Sequence, residues 1–205
     1  MVLRRVVQLV GSCVVLGIGV GLLLLAALGS DGYSTFINGL SKHFGVDFVL
    51  VNAVVGVLLV AMAWSRGLRP GLGTIVQPVV VGFTVSGMLH AFDSPSHLAV
   101  RSALLVAAFP VLAVGVAGYL DVALGAGPTE AAALAWDPPV PFRWSYSVLQ
   151  GVGAIVGWLL GAAIGLGTIA VIFLLGPFVD LLRRRLSAHR GWTYETPLSE
   201  PCTQP

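Results

Sequence analysis

Charge is what this sequence has least of. Charged residues make up 10% of its 205 positions and hydrophobic ones 57%, whereas soluble domains run at roughly 25% charged. Such a chain cannot cover itself with polar surface, which excludes an ordinary water-soluble enzyme. Cysteine is nearly missing too. Cys13 and Cys202 stand at opposite ends, so neither a disulfide framework nor a cysteine metal site follows. Lys42 is the single lysine, and no glycine-rich loop precedes a Lys-Ser/Thr pair to cradle phosphate. The four histidines, His43, His90, His97 and His189, do not pair with acids at metal-ligand spacing. The outer group His90, Asp93 and His97 reads as a solvated loop, since structural metal sites need about four well-placed ligands. No catalytic residue, metal or cofactor is expected, and the chain is not read as an enzyme.

What is present in quantity is uninterrupted apolar sequence. Six windows, at about 6–28, 47–65, 72–91, 101–120, 143–162 and 167–183, are nearly free of charge. Each is close to the ~20 residues that a helix needs to cross ~30 Å of hydrocarbon. Little chain is left over, so residues 1–186 read as one polytopic membrane domain with short loops, and 187–205 as a disordered cytoplasmic tail. The first window follows Arg4 and Arg5 like a secretory signal, but it is too long for an h-region of about 7–15 residues and is read as a retained span.

The few charges are unevenly placed. Arg4, Arg5, Arg66, Arg69, Arg143, Arg183, Arg184, Arg185 and Arg190 fall on one side of a six-span arrangement, with Lys42 and Arg101 on the other. Excess positive charge marks the cytoplasmic side, which puts both termini in the cytoplasm. The C-terminal arginines need no nucleic-acid partner to explain them.

The chain also repeats itself. Gly71-Leu72-Gly73-Thr74-Ile75 recurs as Gly165-Leu166-Gly167-Thr168-Ile169, and at the same offset Trp64 meets Trp158 and Gly82 meets Gly176. Upstream, Leu28-Gly29 meets Leu124-Gly125 with a slip of two residues. Repeat one covers about 6–91 and repeat two about 101–186. Each holds three spans, and an odd number makes the second copy enter the membrane upside down, the inverted arrangement of many secondary transporters. The fold class expected is therefore all-α, with six transmembrane helices as two inverted three-helix repeats.

Between spans 1 and 2, residues 33–44 place Tyr33, Phe36, Ile37, Leu40 and Phe44 at helical spacing opposite a polar face. About a dozen residues are too few to span. The segment is read as a helix lying in the interface, with a re-entrant half-helix as the alternative. Thr129–Trp136 is its shorter counterpart, broken afterwards by Pro138, Pro139 and Pro141. Gly153, Gly157 and Gly161 form a small-residue ridge in span 5, and Gly17 and Gly21 do so in span 1. Such ridges let helix backbones approach closely, within one chain or between copies; the span-5 ridge is thus a candidate surface for a homo-oligomer. Thr74 and Thr168 are placed as helix N-caps.

The order Leu-Gly, a polar break, a span, then Gly-x-Gly-Thr and an apolar helix, twice over, resembles the YczE/YyaS/YitT group of bacterial membrane proteins, above all its YczE-like branch. Gly127-Pro128-Thr129-Glu130 is similar to that group's Gly-Pro-x-Asp, whereas the first half has Gly32-Tyr33-Ser34 where the group pattern is Pro-Trp-Asp. Tyr146 and Gln150 stand where the group tends to carry an Arg and a Glu. The resemblance implies a transporter-like protein of a bacterial inner membrane and supplies no substrate.

Together these readings lead to a permease for an unknown small solute, in contact with the lipid bilayer. The alternative is an accessory or regulatory membrane protein that binds a membrane-associated partner. The two broken stretches 29–34 and 125–130 carry the solute contacts expected at Ser34 and Glu130. Gln150, Thr74 and Thr168 are further candidates for binding it. A polar cavity would favour transport, and a packed interior with an exposed small-residue ridge would favour the accessory role.

Overall fold

The computed structural model describes residues 2–122, 124–136, 139–140 and 142–175. Its elements are α1 (Val2–Ala26), α2 (Gly32–Phe44), α3 (Phe48–Ser65), α4 (Leu72–Ala91), α5 (Leu98–Leu120), α6 (Pro128–Leu134), α7 (Phe142–Leu159) and α8 (Leu166–Ala170), the last continued by a π-helical turn at Val171–Leu175. The first four apolar windows appear as α1, α3, α4 and α5, each long and apolar enough to cross a membrane. The fifth corresponds to α7, and the sixth opens with α8. The rest of that window with Gly176 and the arginine cluster, the tail 187–205, Pro138 and Pro141 lie outside the described residues.

Helix α1 is the centre of the molecule. Leu9, Cys13, Leu16, Val20 and Leu23, spaced alternately by four and three, are all buried, which gives it a continuous inward stripe. It packs most extensively on α5 and next on α4. Small residues set the approach: a Cβ on Gly17 or Gly21 would strike Thr84 or Met88 of α4, and one on Gly19 would strike Leu112 of α5. Away from this centre the helices turn bulky apolar side chains outward. Phe83 is 67% and Val106 70% exposed, a surface that lipid suits and water does not.

The end of α1 is finished by a cation from elsewhere. Arg101, in the first turn of α5, donates from Nε to Ala26 O at 2.7 Å and from Nη2 to Ala27 O. Those carbonyls have no partner within α1 itself, and a guanidinium there also complements the negative end of the helix dipole.

Helix α2 departs from the interfacial expectation. Its polar residues Ser34, Thr35 and Asn38 are buried, while Phe44 is exposed. The first turns of the polar face point into the protein, where α7 packs on α2, while Lys42 and His43 near its end stay exposed. There the ridge of α7 finds its partner: a Cβ on Gly153 would lie 2.8 Å from Gly32 O, one on Gly157 2.7 Å from Phe36 N, and one on Gly39 2.5 Å from Gly157 O. Two of the three ridge glycines are thus covered by the chain's own α2, which corrects the expectation of an oligomer surface. The third, Gly161, lies in the turn after α7 at φ +93°.

Both halves contribute to each of two crossovers. Gly73 N donates to Leu124 O at 2.8 Å, and Gly167 N donates to Leu28 O at 2.9 Å. In each case the Leu-Gly of one half packs on the Gly-Leu-Gly-Thr of the other. The glycines after the leucines, Gly29 at φ +106° and Gly125 at φ +122°, take a backbone that side chains disfavour. The threonines are not N-caps, because Gly71 and Gly165 hold those positions. Thr74 sits three residues in, where its Oγ1 accepts from Gly71 N at 3.2 Å and donates to Ala126 O at 2.7 Å.

Candidate functional site: a polar cavity between the halves

The starts of α2 and α6 line one cavity in the interior. Asp31 caps α2, its Oδ2 accepting from Ser34 N at 2.9 Å, as a short acceptor side chain does at a helix start. Pro128 opens α6 and places Glu130 in its first turn. Between them lies a cavity of about 380 Å³. Its polar lining comes from both halves: Asp31, Ser34, Asn52 and Gln77 from the first, Glu130 and Gln150 from the second.

Hydrogen bonds tie these groups together. Asn52, in the second turn of α3, donates from Nδ2 to Pro78 O at 2.6 Å and accepts from Tyr33 OH at 2.8 Å. Gln150 on α7 accepts from Tyr33 N at 2.8 Å and donates to Tyr146 OH at 2.8 Å. Tyr119 of α5 donates to Glu130 Oε1 at 3.1 Å. Satisfied buried bonds of this kind are worth about 0.5–1.5 kcal/mol each, and more is lost when one partner goes.

Two oxygens in the same region are left over. Glu130 Oε2 and Gln77 Oε1 are buried with no hydrogen-bond partner among the described residues. They converge on one place: a Cβ on Gly127 would lie 2.6 Å from the first and 3.2 Å from the second. Such orphaned acceptors are rare in native interiors and call for an explanation.

Of the residues expected to touch solute, Ser34, Glu130 and Gln150 line this cavity. Thr74 and Thr168 do not. They sit at the two crossovers, Thr74 engaged with Ala126 and Thr168 buried with its hydroxyl unpartnered among the described residues. Asp31, Asn52, Gln77 and the tyrosines Tyr33, Tyr119 and Tyr146 line it unforeseen. A side-chain amide inside a mostly apolar span was the signal for Asn52 and Gln77, since such residues are costly in a membrane and tend to face the interior. Asp31 stands three positions before Ser34, so the first half does keep an acid here.

A larger cavity, about 550 Å³, lies on the flank between α2, α3, α6 and α7 and is lined mainly by apolar residues, with Trp136 and Trp144 at its edge. No group of three or more His, Cys, Asp and Glu residues able to hold a metal occurs among the described residues. His90 instead bridges Asp47 at 3.1 Å near the surface.

Compared with known proteins, the chain matches a family of unknown function, DUF6198, over residues 3–184. The chain belongs to that family. An uncharacterized protein of Haemophilus influenzae is 27% identical over 170 residues, 81% of this chain and 77% of the relative. The uncharacterized membrane protein YczE of Bacillus subtilis is 25% identical over 174 residues, 80% of this chain and 78% of the relative. No solved structure matches it significantly. The likeness to the YczE branch therefore stands, and with its apolar helices the DUF6198 chain is a membrane protein.

Proposed function

We propose that this DUF6198 protein is a small-solute permease of a bacterial inner membrane, built from two inverted three-helix halves with the solute site between them. The observation that carries the reading is the cavity, which gathers two carboxyl groups and several amides and hydroxyls into an otherwise apolar wall in a chain with 10% charged residues, and which is lined by the broken segments of both halves. Broken backbone at membrane depth is tolerated where it is buried in protein or lines a wet cavity. The reciprocal bonds Gly73 to Leu124 and Gly167 to Leu28 support a two-fold relation, because such an axis makes each contact occur twice with the roles exchanged. Three spans per half then orient the axis in the membrane plane. On this reading α2 and α6 are re-entrant half-helices, and an accessory role loses its support because α2 covers the exposed glycine ridge it would need.

Topology is tested by labelling single cysteines in a chain with Cys13 and Cys202 changed to Ser. Ser94→Cys should react with an impermeant reagent from outside the cell, and Ser65→Cys should react only after permeabilisation. The reverse pattern would sink the inverted six-span arrangement. The site is tested with Glu130→Gln, which keeps shape and removes charge. Native mass spectrometry of detergent-purified wild-type protein should show a co-purified small molecule, and the variant should fold normally yet lose it. A folded variant that retains the molecule would place the solute elsewhere.

A further inference from the structure

The lining of the cavity has a sign. Among the side chains described it holds two carboxyl groups, Asp31 and Glu130, and no Lys, Arg or His; the side chain of Arg143, at the start of α7, lies outside that description. Two carboxyl groups enclosed together without a counter-ion are costly when ionised. The ion pair that the described residues do form, His90 with Asp47, is outside this cavity. Glu130 Oε2 and Gln77 Oε1, without a hydrogen-bond partner among the described residues, are packed close to Gly127 beside the cavity. Among the described side chains, the only groups here that can carry a full charge at neutral pH are the two acids, Asp31 and Glu130.

The remaining walls narrow the ligand further. Tyr33, Tyr119, Tyr146 and Phe48 line the same space, and aromatic faces attract cations, ammonium groups above all. A bare metal ion would fill little of about 380 Å³, which lies in the range of organic-ligand pockets, ~300–1,000 Å³. An anion would meet two carboxyl groups, and a neutral solute would leave them uncompensated.

We propose that the cavity binds a small organic cation, an amine or quaternary ammonium compound, held between Asp31 and Glu130 against the tyrosines. This names the substrate class of the site on which the permease reading rests. In the bound state the carboxylates neutralise the cation, and the aromatic rings replace the water around its alkyl groups.

The test uses the purified full chain and matched probes: methylammonium, choline and tetraethylammonium as cations, 3,3-dimethylbutanol as a neutral mimic of choline, and 3,3-dimethylbutanoate as an anion. At least one cation should raise the melting temperature saturably, by mass action on the folded state, with no comparable effect from the neutral or anionic probe. Glu130→Gln, and Asp31→Asn, which keeps a capping side chain, should each weaken that binding by about 30-fold or more. Should one variant not fold, the other decides. The proposal is overturned if no cation binds, if the neutral mimic binds as tightly as choline, or if both folded variants bind the cation unchanged. Flux into proteoliposomes separates this result from the permease reading. A cation that binds and is not carried leaves the cation site standing and removes transport. Uptake of the neutral mimic alone does the opposite.

Discussion

Gly32→Ala should leave little folded protein. A Cβ at this position would run into the backbone carbonyl of Gln150, closer than any real contact. A backbone atom in the middle of α7 cannot step aside as a side-chain end can. Overpacking costs typically about 1–3 kcal/mol and occasionally more, and the rigidity of the obstacle puts this change at the upper end. The loss also reaches the cavity, because Gly32 lies between Asp31 and Tyr33, and the latter donates to Gln150. Gly151→Ala is the control. It sits on the same helix, but its Cβ would meet nothing within 4 Å, and alanine in a helix interior is favoured over glycine by roughly 0.5–1 kcal/mol. Size-exclusion profiles and melting temperatures in detergent should separate the two variants clearly. A Gly32→Ala protein as stable as wild type would mean that α2 does not rest on α7 in this way.

Gly29→Ala and Gly125→Ala should both be strongly destabilised, in parallel. At φ +106° and +122° a side chain is strained by about 1–3 kcal/mol. The clash adds to this: a Cβ on Gly29 would lie 2.5 Å from Thr168 Oγ1 and 2.7 Å from Gly165 N, and one on Gly125 2.9 Å from Gly71 Cα. Gly29→Ala meets the closer atoms and is expected to be the worse of the two. Each variant breaks one of the two crossovers and leaves the other in place. Thermal unfolding of the single and double variants reads this directly. If one variant melts like wild type, the crossovers are not equivalent in the energetics of the fold.

The crossovers were legible because glycine is the residue that leaves a mark when backbones meet. Leu28-Gly29 and Gly71-Leu72-Gly73-Thr74 repeat, and the repeat marks the places where the halves bond to each other. Spans were legible for a different reason: α4 runs from Leu72 to Ala91, the same limits as its apolar window. Facing was harder to read. In a helix such as α3, apolar nearly all round, periodicity does not say which side looks inward; Asn52 was its one inward marker, and which groups it meets, Tyr33 and Pro78, came only with the structure. Helix α2 misled because its amphipathic pattern fits a helix at a water boundary equally well. Its polar side turns to α7 and the cavity, and no local pattern carries the position of a helix more than a hundred residues away. Asp31 escaped notice because the acid was sought at Ser34, in step with Glu130, rather than at the cap three residues earlier.

The carbonyl of Leu28 finds its donor at Gly167, and that pairing imposes an order on synthesis. While the ribosome is still on the first half, the end of α1 is unfinished: Arg101 has not arrived for Ala26 and Ala27, and the partner of Leu28 is further off still. The end of α1 therefore keeps these carbonyls without their partners in the protein until residues 101 and 167 of the second half are made.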